Sequence, residues 1–360
     1  MQSTVHGGTS GLRLDWNECA TGPSPVAVAR VVAGAGELHR YPRGLLGEVT
    51  EAVARENGVE AESVLLTNGV DEAVDLALSL VGTAYFVSPG FDGYLDRALV
   101  LGRTARAIPL DEQWEPVLDP AELGRGSALF LAQPHNPTGH LFRSEWVDAA
   151  VAGAEVAFLD TTYADFAAPD VRGVLTDPYP LGSHPGLLLF RSFSKSHGLA
   201  GVRLGALIGA PGLISRLRSR QRFHSVNSIA LHALAGSLED PGHRLRLCAQ
   251  VLADRPRYVE VLGAHPVFAE VRDTHTNFVV ARCRDGLSSA DVAGRLADRD
   301  VWIKDCGPLG LPGWLRISVG TLDDLDRLVH ELSAIDPAHT PPHTTSPAPD
   351  LATSTLENVS

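Results

Sequence analysis

Short apolar runs at 64–67, 85–87, 128–131, 156–160 and 187–191 alternate with segments of helical spacing at 71–80, 92–101 and 144–151. Runs that are apolar throughout need cover on both faces, and the intervening helices supply it. The pattern therefore predicts an α/β architecture with a large, doubly wound, mostly parallel sheet. Ligands of such sheets sit beyond the carboxyl ends of the strands. The unusual polar residues of this chain cluster just past those ends.

Beyond residue 212 the pattern becomes helical, with a long segment at 241–263. Short runs at 268–271, 277–281, 301–303 and 315–319 follow, with helical segments at 289–298 and 322–333. That is the outline of a second, smaller α/β domain. The expected division is an N-terminal arm over 1–35 that packs with the small domain, a large domain over 36–240 and a small domain over 241–335. Residues 1–25 read as irregular, and 202–208 as a further strand. The Pro-, Thr- and Ser-rich end, 336–360, reads as a disordered tail.

A formal charge of −13 argues against nucleic-acid binding, which needs a basic face. No apolar run of about 18 residues predicts a membrane span. Residues 1–11 lack the apolar centre of a signal peptide. Four scattered cysteines, with no Cys-x-x-Cys pair, indicate neither a metal site nor a disulfide framework. These features suit a cytoplasmic enzyme.

Among 30 basic residues only Lys195 and Lys304 are lysines. Arginine stays protonated and cannot form a Schiff base, so any side-chain amine chemistry falls to one of these two. Lys195 sits in Ser192-Phe193-Ser194-Lys195-Ser196-His197-Gly198, after an apolar run, with Arg203 eight residues on; a loop lysine of this kind is ordinarily a surface residue. Gly69, Val70 and Asp71 open a helix after a strand, which is either a plain cap or an anion site to which Ser192, Ser194 and Arg203 could add donors. Asp160 ends a buried strand, where a carboxylate either caps a turn or pairs with a cationic ligand. Tyr163, Asn136 and Phe91 each have a packing or turn role as well as a ligand role open to them.

Together these blocks resemble the fold-type I aminotransferases that depend on pyridoxal 5′-phosphate (PLP), and among them the histidinol-phosphate aminotransferases. The resemblance runs from about Leu14 to Ser333. It is carried by Asn17-Glu18, Arg40-Tyr41-Pro42, Gly69-Val70-Asp71-Glu72, Asn136-Pro137-Thr138-Gly139, Asp160-Thr161-Thr162-Tyr163, 192–205, Thr276-Asn277-Phe278 and 315–321. It implies the PLP-dependent transferase fold of type I. Lys195 would hold PLP as a Schiff base and later move the Cα proton. Asp160 would keep the ring nitrogen protonated, Asn136 and Tyr163 would bond the ring's phenolic oxygen, and Phe91 would stack on the ring. Gly69, Val70, Asp71, Ser192, Ser194 and Arg203 would bind the phosphate, joined by Tyr41 from a neighbouring subunit. That makes a homodimer with shared sites the expected assembly. Arg316 would bind a substrate carboxylate, supported by Asn277 and Asn17.

The implied reaction moves an amino group between an amino acid or an amino-alcohol phosphate and a 2-oxo acid. The departures lie where substrate is held. The family's Asn-Glu-Asn-Pro-Tyr reads Asn17-Glu18-Cys19-Ala20-Thr21, its Asp-Glu-Ala-Tyr reads Asp160-Thr161-Thr162-Tyr163, and a frequent arginine is Lys304. Arg43 and His224 are further candidate readers of the substrate. Other readings are a different PLP reaction (decarboxylation, elimination, cyclisation or oxidation) and a non-catalytic binding protein on the same fold.

Overall fold

The computed structural model describes residues 11–168 and 184–335. Leu12 and Leu14 are buried on either side of exposed Arg13, an alternation of period two, and they form strand β1 (Leu12–Leu14). The sequence predicts an irregular arm here. Three residues are too few to show a period, and the strand forms because a partner far along the chain pairs with it. Helix α1 (Pro25–Gly34) follows, capped by the Ser24 hydroxyl with proline in its first turn.

The apolar runs then build a seven-stranded sheet. Its strands are β2 (Val64–Thr67), β3 (Thr83–Ser88), β4 (Thr104–Pro109), β5 (Ser127–Ala132), β6 (Val156–Asp160), β7 (Leu187–Ser192) and β8 (Gly205–Gly209), in the order β2-β8-β7-β6-β5-β3-β4. All run parallel except β8, which is antiparallel to both neighbours. β8 begins at Gly205, not at 202 as predicted, because Arg203 takes a left-handed backbone (φ 55°) that no strand accommodates.

Helices α2 (Leu45–Glu56), α3 (Gly69–Leu78), α4 (Asp92–Val100), α5 (Ser144–Gly153), α6 (Pro211–Arg218) and α7 (Ser228–Glu239) cover the sheet. α3, α4 and α6 pack on one face, and α2, α5 and α7 on the other. On the first face Phe86, Phe130, Phe158 and Phe190, from four adjacent strands, stack in a row with ring centroids 5.2, 5.1 and 5.7 Å apart. Burying each ring stabilises the fold by about 1.5–3 kcal/mol. Tyr94 of α4 lies against this row, 5.5 Å from Phe130 and 6.1 Å from Phe158.

The second sheet has β9 (Phe268–Arg272), β10 (Phe278–Cys283), β11 (Val301–Asp305) and β12 (Trp314–Ser318), and the arm's β1 completes it in the order β1-β11-β12-β10-β9. β1 pairs parallel with β11, and the other pairs are antiparallel. Helices α8 (Pro241–Gly263), α9 (Ser289–Ala297) and α10 (Leu322–Ser333) bury Leu262, Leu296 and Leu325 against it in a separate core. α10 starts in a capping box of Thr321 and Asp324 and turns Leu325, Leu328 and Leu332 inward at helical spacing. Among the described residues no helix is long and apolar enough to cross a membrane. The segment 336–360, read as a tail, lies outside the described residues.

Candidate active site

The strand register sets the floor of the site. Ala132 of β5 pairs with Asp160 of β6, Asp160 with Phe190 of β7, and Ser192 ends β7, so three adjacent strands finish at one level. Beyond those ends opens a cavity of about 570 Å³, with walls from both sheets and from the arm. Twelve of the residues singled out from the sequence line it: Asn17, Val70, Phe91, Asn136, Asp160, Tyr163, Ser192, Ser194, Lys195, Arg203, Lys304 and Arg316.

Asp160 is buried. Its Oδ1 accepts from the Thr162 amide at 2.9 Å and from the Thr162 hydroxyl, and its Oδ2 accepts from the Tyr94 hydroxyl at 2.7 Å. Burial raises its pKa above the ordinary carboxylate range, while the Thr162 and Tyr94 donors and the charge of Lys195 draw it back. A cation brought to this carboxylate would relieve the desolvation that raises it. The sequence alone gives Tyr94 no role, and it gives Thr162 only as a departure from the family's motif. Tyr94 follows Phe91 by one helical turn, but only the packing on the phenylalanine row shows where its hydroxyl goes.

Lys195 lies across the cavity. Its Nζ donates to the Trp16 carbonyl at 2.7 Å. Burial, with Arg316 and Arg203 nearby, pushes the ammonium's pKa down to about 8 against the opposing pull of Glu18 and Asp160. Such an amine holds a useful neutral fraction near physiological pH.

Arg203, Gly69 and Asp71 form one corner. A Cβ built on Gly69 would stand 2.9 Å from Arg203 Nη2, and Gly69 itself has φ 72°, so only glycine lets the guanidinium lie over the helix start. Asp71 Oδ2 accepts from Arg203 Nη2 at 3.3 Å. The Ser194 amide donates to the Ser192 hydroxyl at 3.2 Å beside it. A helix N-terminus, a guanidinium and two hydroxyls together suit a phosphate. Gly69 and Asp71 shape this corner without lining the cavity.

Arg316 is buried on β12. Its Nη2 donates to the Asp15 carbonyl at 2.8 Å and its Nη1 to Asn136 Oδ1, and its Nε is buried without a partner. Tyr163 receives a hydrogen bond at its hydroxyl from Asn17 Nδ2, at 2.8 Å. Asn17 has φ 54°, and with Arg203 it makes two strained, non-glycine positions on this one cavity wall. Asn277, expected beside a substrate carboxylate, stands behind the wall: its Nδ2 donates to the Asn17 carbonyl at 3.0 Å, so it reaches the site only through Asn17. Tyr41 is away from the cavity, 69% exposed and stacked on His224 at 4.4 Å. Arg43 does not line it either. Lys304 does, as do Trp16, Glu18 and Asp92, for which the sequence reading had no substrate role.

An amine of lowered pKa, a buried carboxylate at a sheet's carboxyl edge and a phosphate-type corner around one cavity define a PLP-dependent enzyme of the type I fold. The chain belongs to the aminotransferase class I and II family, whose model matches residues 9–332. It is 30% identical to a histidinol-phosphate aminotransferase of Symbiobacterium thermophilum over 342 residues, 90% of each chain. It is 32% identical to an aromatic amino acid aminotransferase of Corynebacterium efficiens over 339 residues, 90% of this chain and 93% of that one. The histidinol-phosphate aminotransferase of Sinorhizobium meliloti, solved in complex with PLP, superposes with a TM-score of 0.77 at 21% identity, covering 91% of this chain and 92% of that one.

Proposed function

We propose that this aminotransferase transfers an amino group between an amino acid, or an amino-alcohol phosphate of the histidinol-phosphate kind, and a 2-oxo acid. The observation that carries this is the convergence of Lys195, Asp160, Arg203 and Arg316 on one cavity. When bound, PLP supplies an electron sink that weakens the bonds at the substrate's Cα. The chain's residues do the rest. Lys195 Nζ would hold the cofactor and, once freed by substrate, would take the proton from the substrate's Cα and give it back on the cofactor side of the imine nitrogen. Asp160, fixed by Tyr94 and Thr162, would keep the ring nitrogen protonated. Asn136 and Tyr163 would bond the ring's phenolic oxygen, and Phe91 would cover its face. Val70, Ser192, Ser194 and Arg203 would hold the phosphate.

Arg316 anchors the substrate carboxylate. Two of its five donors are tied to Asn136 and Asp15, and the orphaned Nε supports a missing acceptor. Asn17 braces Tyr163 from the arm. Tyr41 and the 97% exposed Phe223 lie on a surface suited to a second copy, and they support a homodimer in which Tyr41 reaches the partner's phosphate corner. Four free cysteines suit the cytoplasm.

The test is to add amino donors, histidinol phosphate among them, to holoenzyme without any oxo acid. The cofactor spectrum should shift to the amine form, and an oxo acid should restore it. Release of carbon dioxide or ammonia in place of that shift contradicts the proposal.

A further inference from the structure

Once Asp160, Lys195 and Arg203 serve the cofactor and Arg316 the carboxylate, three charged side chains remain on the cavity wall: Glu18, Asp92 and Lys304. Two carboxylates and one ammonium give these three a formal charge of −1. Lys304 stands directly across the β11–β12 pair from Arg316, so the two cationic side chains leave the same face of the small sheet. Asp92 approaches from the large sheet's side, as the first residue of α4 and the neighbour of Phe91. Burial raises the Asp92 pKa, with Asp96 adding to the rise; Lys304 is the charge that opposes it most strongly, and Arg316 the other cation that does. Neither Asp92 nor Lys304 forms an ion pair with another described residue, and both line the cavity.

We infer that Asp92 reads the substrate side chain, and that the site selects amino acids with a monocationic side chain (ammonium, guanidinium or imidazolium) over phosphorylated or dicarboxylic ones. Such a side chain cancels that formal charge. A phosphate, carrying about −1.5 to −2, would add like charge beside two carboxylates with one lysine to offset it. Lys304 opposes the burial that raises the Asp92 pKa, and it repels cations too bulky to stay at the Asp92 side. The inference rests on the aminotransferase proposal and on Arg316 as the carboxylate anchor.

Holoenzyme is titrated with L-ornithine, L-arginine, L-norvaline, L-glutamate, O-phospho-L-serine and histidinol phosphate, and kcat/KM is read from the cofactor spectrum. The cationic donors should exceed norvaline and the phosphorylated donors by about tenfold or more, the scale of one partly desolvated charge pair. Asp92→Asn should shrink the ornithine-to-norvaline ratio by about tenfold, and Lys304→Met should enlarge it. The α-methyl derivatives of ornithine and norvaline, which have no Cα proton, should show the same order as dissociation constants. A preference for phosphorylated or dicarboxylic donors, or a ratio unmoved by Asp92→Asn, overturns the inference and leaves the aminotransferase proposal standing. Conversion by no donor, with no binding of the α-methyl compounds, overturns both.

Discussion

The Lys195 amine donates a hydrogen bond to the backbone carbonyl of Trp16, 179 residues earlier in the chain, at 2.7 Å. The contact ties the scarce lysine to the arm. The arm in turn is held by β1 on the small sheet and by the Asn17 amide, which donates to the Ser318 hydroxyl at 2.9 Å. The Lys195 amine therefore sits where the large sheet, the small sheet and the arm meet. The same close approach appears at Gly198, where a Cβ would stand 2.6 Å from the Gly22 carbonyl.

Tyr94→Phe keeps the ring in the aromatic row but removes the donor to Asp160 Oδ2. A hydrogen bond to a charged group contributes about 1.5–3 kcal/mol. The half-reaction rate with a good amino donor should fall about tenfold or more, since 1.4 kcal/mol is a factor of ten. Melting temperature should change little if the loss is felt chiefly in catalysis. An unchanged rate would show that Thr162 alone fixes the carboxylate.

Lys195 should lose its proton near pH 8 and not near the ordinary 10.5. Burial and the neighbouring arginines disfavour the ammonium, so the neutral amine appears at lower pH. Covalent capture of PLP by the apoprotein, followed by absorbance, should speed up through a midpoint near 8. Arg316 is one of the groups lowering the value, so Arg316→Gln should move the midpoint upward. A midpoint near 10 in the unaltered protein would contradict the electrostatic account.

Much of the cavity's lining was legible because it is built from rare residues in distinctive places. Lys195 stands out because arginine supplies nearly all other fixed positive charge. Asp160 stands out because it ends an apolar strand. What stayed hidden depends on long-range packing. Tyr94 reads as an ordinary helical tyrosine until the phenylalanine row aims its hydroxyl at Asp160. β1 has three residues and exists only because β11 accepts it. Asn277 sits in a motif beside β10, yet its amide is taken by the arm, a contact local sequence does not encode. The late start of β8 follows from the left-handed backbone at Arg203, which strand propensity cannot foresee.

Thr321→Ala removes the hydroxyl that accepts from the Asp324 amide at the start of α10. Losing such a cap costs about 1 kcal/mol. The melting temperature should drop by a few degrees, and activity per folded molecule should stay unchanged, because no residue of α10 lines the cavity. A loss of activity without a loss of stability would assign the cap another role.

The exposed Tyr41 and Phe223 are expected to lie between two copies. Sedimentation should give a dimer, and Tyr41→Ala should weaken PLP binding several-fold within a dimer that still forms. A fully active monomer would contradict the shared site.

The most direct measurement is borohydride reduction of the holoenzyme followed by peptide mapping. Reduction should fix the cofactor on the peptide containing Lys195, and Lys195→Ala should abolish both the label and turnover while PLP still binds without a covalent link. Label on Lys304, or no covalent label at all, would contradict the central claim that Lys195 is the amine on which the chemistry runs.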